Sequence, residues 1–233
     1  MRYGPLVMPG PAAQNAATLP PEPNAMSSPR RALLVIDVQN EYFTGRLPIE
    51  HPPVAQSLPN LLRAMDAAHA RGIPVIVVQH SAPAGAPVFA PGTDAWELHP
   101  EVARRPRDHT IGKSLASAFA GTDLADWLAA RGIDTLTVVG YMTHNCDAST
   151  IYEGAHRGLR MEFLHDATGA LPYANAVGGA SAEEIHRVFS VVFHSNFAAV
   201  ASTADWIAAL DAQAALPVDN VPASNQRARE AVG

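Results

Sequence analysis

Cys146 is the only cysteine in this chain of 233 residues. A single thiol excludes an intrachain disulfide framework and a thiolate cage for zinc, and it fits a reducing compartment, so a cytoplasmic protein is expected. Basic clusters are equally scarce. Arg104, Arg105 and Arg107 form the densest group in a chain of formal net charge −6. So short a patch on an acidic protein excludes a nucleic-acid partner. No apolar run approaches the length of a membrane span, so no membrane partner is expected. The N-terminus follows Arg2 with Pro, Ala and Asn where a secretion signal would carry a continuous apolar stretch.

What the chain does have is enough apolar residues, 48%, to fill one well-packed core and little more. Residues 1–29 are rich in Pro, Ala, Asn and Ser without periodicity. They read as a disordered extension, with Met26 as an alternative start. Residues 30–212 form the expected domain, and 213–233 a polar tail that is loose or partner-bound. Within the domain, strand and helix signals alternate. The runs 32–37, 74–78, 135–139, 161–164 and 197–201 are short and apolar, as strands buried on both faces are. Between them lie helical patterns over 54–71, up to 131 from a cap at Thr122 or Asp123, over 148–157, and from Ser181, where Ser-x-x-Glu184 forms a capping box. A short helix starts at Thr203. Repeated β-α-β units predict an α/β fold, a three-layer α-β-α sandwich around a mostly parallel sheet. Ligands in such folds bind beyond the carboxyl ends of the strands.

Three chemically capable residues fall at that edge. Asp37 ends the first strand, Lys113 ends Thr110-Ile-Gly-Lys113, and Cys146 follows the turn that begins at Gly140. Each alone has an ordinary structural reading: a turn cap, a solvated cation, a small buried hydrophobe. Together they are a carboxylate, a cation and a thiol, the components of an activated nucleophile. Between a strand and a helix N-terminus, the thiol is expected to have a lowered pKa.

The segments Val35-Ile-Asp37-Val-Gln-Asn40-Glu-Tyr-Phe43, Lys113-Ser-Leu-Ala-Ser-Ala-Phe119 and Gly140-Tyr-Met-Thr143-His-Asn-Cys146 resemble those of the isochorismatase-like cysteine hydrolases. That superfamily includes nicotinamidases and N-carbamoylsarcosine amidase. Trp96-Glu97-Leu98-His99-Pro100 is similar to a further segment of many members. The resemblance implies an isochorismatase-like, Rossmann-like fold and an Asp37–Lys113–Cys146 triad. It implies hydrolysis of a small-molecule amide through a thioester, with the oxyanion held by the backbone N–H groups of Met142 and Cys146. A cis peptide between Tyr141 and Met142, support of that turn by Thr143, and a homo-oligomer (dimer, tetramer or larger) are implied as well. Phe43, His80, Trp96, Phe119, Tyr141 and His144 are the candidates for contact with substrate, and Gln39 and Asn40 for orienting Asp37. Asp166 reads as a structural anchor.

Two departures stand out. Asp147 follows the nucleophile where relatives mostly carry a small apolar residue, and it is expected to point away from the cavity. The Asp-x-His metal site of nicotinamidases is not reproduced in Leu47-Pro-Ile-Glu50-His51. Glu50, His51, His80 and His99 have no recognised ligand spacing, so neither a metal nor another cofactor is expected. Three other readings remain: a vinyl ether hydrolase of the isochorismatase type, a silent scaffold, and a thiol redox sensor. The retained cysteine argues against the first, the intact triad against the second, and the missing second cysteine against the third.

Overall fold

The computed structural model describes residues 28–231. The expected N-terminal extension up to residue 27, with Met26, lies outside the described residues. In chain order the elements are β1 (Arg31–Ile36), α1 (Val54–Ala70), β2 (Val75–His80), α2 (Pro100–Ala103), β3 (His109–Lys113), α3 (Leu124–Ala130), β4 (Thr135–Tyr141) and α4 (Ala148–His156). There follow β5 (Arg160–Gly169), β6 (Tyr173–Asn175), β7 (Gly178–Ala180), α5 (Ala182–Val192), β8 (Ala199–Ala201), α6 (Thr203–Asp211) and α7 (Val221–Glu230).

Six strands make one sheet in the order β3-β2-β1-β4-β5-β8, and every pairing in it is parallel. Strand β1 shows why its sequence lacks a polar face. Leu33 and Val35 pack with Leu61 and Met65 of α1 and Trp206 of α6. Ala32, Leu34 and Ile36 pack with Leu124 and Leu128 of α3 and Ile151 of α4. Alternate side chains enter opposite cores, so both faces must be apolar. The three-layer α/β sandwich expected from the strand-helix alternation is the observed fold.

Of the two capping candidates for helix α3, Thr122 makes the bond, accepting from the Leu124 N–H at 3.3 Å, while Asp123 makes no side-chain cap bond. Local chemistry differs from expectation in two places. The tail after residue 212 includes helix α7, started by the Asn220 side chain accepting from the Ala223 N–H at 3.0 Å. It buries no residue, so caps and intrinsic propensity support it where apolar patterning is absent. Strands β6 and β7 form a separate antiparallel hairpin whose residues are exposed or half-buried, which erases the alternation that marks a strand in sequence.

The order of the strands positions the site. Consecutive strands run outward in opposite directions from the boundary between β1 and β4, which opens a crevice beyond their carboxyl ends. Asp37 leaves β1 and Cys146 follows β4, side by side across this boundary. Strand β3 lies two places from β1, about 10 Å away at the usual strand spacing. Only a long side chain from β3 reaches the crevice, and Lys113 supplies it.

Candidate active site

Two backbone features aim the groups. Asp37 has φ of 50°, a left-handed conformation that aspartate tolerates better than most residues. It turns the chain sharply off β1 while its N–H remains bonded to the Val78 carbonyl at 3.0 Å. Gly140 has φ of 117°, and a Cβ there would lie 2.1 Å from the Ile36 carbonyl oxygen. Only glycine lets β4 approach the end of β1 so closely. The Tyr141–Met142 peptide is cis, and a single π-helical turn over Thr143–Asp147 then leads into α4.

The three predicted groups meet. Lys113 Nζ lies 2.7 Å from Asp37 Oδ2, donates to Cys146 Sγ at 3.2 Å and donates to the Leu115 carbonyl at 3.1 Å. All three residues are buried, and Cys146 retains 5% exposure. Lys113 is also the sole lysine among the 16 Lys and Arg residues of the chain. Arginine's planar fork could not substitute for a compact ammonium serving a carboxylate and a sulfur at once.

Burial dominates the electrostatics. It raises the Asp37 carboxyl above its ordinary pKa, against the pull of Lys113. Burial also opposes the Lys113 ammonium, yet Asp37 and Cys146 outweigh it and hold its pKa above the usual lysine value. The expectation of a lowered thiol pKa is not met: burial, reinforced by Asp37, pushes the Cys146 thiol well up, and Lys113 only partly offsets this. The resting site is therefore an Asp37–Lys113 ion pair beside a neutral thiol.

Asp147 is fully buried, and neither carboxyl oxygen has a hydrogen-bond partner among the described residues. Burial and then the like charge of Asp37 push its pKa far up, so it sits as a neutral acid.

Among the candidates for substrate contact, His80 reaches the triad. Its Nδ1 is 3.5 Å from Lys113 Nζ, and burial, then Lys113, lowers its pKa and keeps the ring neutral. His144 lies within the turn that carries Cys146, its ring nitrogens without a hydrogen-bond partner among the described residues and its pKa pushed by burial down to about 4. Trp96 is half-buried, and its Nε1 donates to Ser81 Oγ at 2.9 Å. Two aromatics prove to be core residues, and a third, Phe43, is half-buried against the core. Tyr141 is fully buried with its hydroxyl 2.9 Å from Ser57 Oγ. Phe119 packs among Leu124, Ile151 and Met161, and Phe43 packs against His99 and Tyr141. Large rings next to a parallel sheet reduce the free energy most by filling its flanking layers.

Gln39 and Asn40 do not touch the Asp37 carboxylate. The Gln39 amide donates to the carbonyls of His80 and Trp96 at 3.0 and 2.7 Å and accepts from the His80 N–H at 2.9 Å. Asn40 donates to the Asp94 carbonyl at 2.9 Å. Both tie the loop between β2 and β3 across the end of β1. Asp166 accepts from the N–H and hydroxyl of Thr203, each at 2.8 Å, the anchoring role expected of it. Glu50, His51, His80 and His99 do not gather. His51 lies beside His186, while His99 caps α2. Among the described residues no three His, Cys, Asp or Glu side chains are grouped to hold a metal.

Sequence reasoning missed three neighbours of the turn. Thr150 donates to the Cys146 carbonyl at 2.7 Å and accepts from the Ala118 N–H at 3.0 Å, joining the segment after Lys113 to the nucleophile helix. Its spacing of four from Cys146 is the available signal, since a helical threonine can bond back to the carbonyl four residues earlier. Tyr173 of the hairpin stands edge-on to His144, with ring centroids 4.7 Å apart. His186 of α5 bonds to Thr143. The last two come from distant segments and carry no local mark.

The chain is similar in sequence and in fold to known proteins. The family model described as "Isochorismatase domain" matches residues 31–205. The secreted isochorismatase effector Isc1 of Verticillium dahliae is 33% identical over 63% of this chain and 76% of its own. The ureidoacrylate amidohydrolase RutB of Methylorubrum extorquens is 32% identical over 66% of this chain and 76% of its own. The crystal structure of a Burkholderia xenovorans LB400 protein assigned to the isochorismatases superimposes with a TM-score of 0.86 at 66% identity, covering 87% of this chain and 98% of that one. With a parallel sheet of matching architecture and a family match across nearly the whole domain, this chain belongs to the isochorismatase family of hydrolases.

Proposed function

We propose that this hydrolase cleaves a small-molecule amide or related C–N bond through a thioester on Cys146, with Asp37 and Lys113 as its partners. The observation that carries the reading is one ammonium 2.7 Å from a carboxylate and 3.2 Å from a sulfur, all three buried.

Asp37, made more basic by burial, accepts the Cys146 proton as the sulfur attacks the amide carbon. Lys113 faces both anionic partners and stabilises whichever carries the charge. Because the resting thiol is neutral, proton transfer accompanies attack and no standing thiolate is needed. The carbonyl oxygen becomes an anion between the N–H groups of Met142 and Cys146. Protonated Asp37 then returns its proton to the departing nitrogen, the C–N bond breaks, and an amine or ammonia leaves. A water, deprotonated by Asp37, hydrolyses the thioester, releasing the carboxylic acid and restoring the thiol.

The test is ammonia release from a panel of primary amides, ureido compounds and N-carbamoyl compounds, with intact-protein mass spectrometry of trapped reactions. An acyl adduct on Cys146 and loss of turnover in Cys146→Ala are expected. Full turnover by Cys146→Ala would overturn the mechanism in favour of chemistry that needs no thiol, such as vinyl ether cleavage.

A further inference from the structure

A buried imidazole stands directly behind the nucleophile turn. His186 belongs to α5, whose start is fixed by a reciprocal capping box: Ser181 Oγ accepts from the Glu184 N–H at 3.2 Å, and Glu184 Oε2 accepts from the Ser181 N–H at 2.9 Å. Ala182, Ile185 and His186 form the buried face of that helix. His186 Nδ1 lies 2.9 Å from Thr143 Oγ1.

Thr143 is fully buried and opens the π-helical turn that ends at Asp147. Besides His186, its hydroxyl has one neighbour, Thr168 Oγ1 of β5 at 3.5 Å, too long for a strong bond. Burial, and then the imidazoles of His51 and His165, push the His186 pKa down to about 4. The ring is therefore neutral, and its Nδ1 shares one hydrogen bond with the Thr143 hydroxyl. A polar residue placed on a buried helix face costs free energy unless its bond does something apolar packing cannot. Its partner sits one residue after Met142 and three before Cys146.

We infer that His186 is a positioning residue, which holds Thr143 so that the N–H groups of Met142 and Cys146 converge on the oxyanion of the attacked carbonyl. The inference rests on the thioester reading above. Nucleophile strength is set elsewhere, by Asp37 and Lys113. Loss of His186 should therefore weaken oxyanion stabilisation and leave thiol reactivity intact.

Two reagents separate these effects. Acylation of Cys146 by p-nitrophenyl acetate passes through a tetrahedral oxyanion, whereas alkylation by iodoacetamide displaces iodide and forms none. His186→Leu should slow acylation by about tenfold or more, part of the 10²–10³ typical when an oxyanion donor is lost outright. Its alkylation rate should stay within about twofold. His186→Asn returns a hydrogen-bonding amide near the Nδ1 position and should recover most of the acylation rate. The double variant with Thr143→Val should be no slower than either single variant, since both break one bond. Equal losses in acylation and alkylation, additive effects, or no rescue by asparagine would each overturn the assignment. If His186→Leu fails to fold, His186→Asn combined with Thr143→Val carries the same comparison. A wild-type Cys146 that alkylates but does not acylate would instead overturn the thioester reading itself, and this inference with it.

Discussion

Lys113 carries a charge in the interior on terms set by two neighbours, and its uniqueness makes those terms measurable. Lysine labelled with ¹³C at Cε gives a single resonance from this chain, because no other lysine exists. Its pKa is held above the ordinary 10.5, so the resonance should keep its ammonium position beyond pH 10.5 and titrate earlier in Asp37→Asn. The sign for stability follows: the folded pKa exceeds the unfolded one, so the pair stabilises the fold below 10.5 and loses that effect as pH climbs through the folded value. Lys113→Met should lower the iodoacetamide rate at pH 8 by about tenfold or more, since among the described residues Lys113 alone counters the burial and the Asp37 charge that raise the thiol pKa. An unchanged rate would mean that Lys113 does not tune the sulfur. At this scale the identities of the three groups were legible, because their chemistry is unusual at strand ends. Their charge states were not, since desolvation depends on everything packed around them.

The elements that hold the site tolerate little change where backbone meets backbone. Gly140→Ala would place a methyl 2.1 Å from the Ile36 carbonyl oxygen, at a φ that other residues rarely adopt. A loss of about 3 kcal/mol or more is expected from the denaturant midpoint. Helix α5 and the nucleophile turn carry two imidazoles, His186 and His144, whose pKa values are pushed from 6.5 to about 4. Between those values the unfolded chain binds protons that the folded chain refuses, so stability falls as pH drops from 6.5 toward 4. His186, the more buried of the two, should account for about 1–3 kcal/mol of this. Thermal melts of His186→Asn should show a correspondingly shallower decline. The capping box of α5 and the apolar strands were readable from spacing. The β6–β7 hairpin and α7 were not, because neither buries a patterned face.

Across the whole molecule, two buried ion pairs occupy opposite ends of the sheet and do different work. At the amino end Arg31 Nη2 meets Glu162 Oε1 at 2.8 Å, and Glu162 Oε2 also accepts from Thr137 at 2.7 Å and from Trp206 at 3.0 Å. This network ties β1, β4, β5 and α6 together with no reactive group attached. Glu162→Gln strands the Arg31 charge and should cost about 3–5 kcal/mol of stability, while the remaining folded protein alkylates at Cys146 normally. Coupled loss of both properties would show that the two ends are not independent. On the outer surface Val188, Val191 and Val192 of α5 are 47%, 55% and 40% exposed. Three adjacent exposed valines suit self-association. Light scattering should give a multiple of 24.6 kDa, reduced by Val191→Lys.

The sequence by itself determined the alternation of doubly buried strands with amphipathic helices, and with it the parallel sheet and the edge where chemistry belongs. It also named Asp37, Lys113 and Cys146, because residue type and local spacing are properties of neighbours along the chain. Only the tertiary structure decided that one ammonium bridges the other two groups, that the thiol rests neutral, and that Tyr141 and Phe119 fill the core. It also brought His186 behind the turn that carries Cys146. Those outcomes depend on distance and solvent exclusion between segments dozens of residues apart, which no local pattern records.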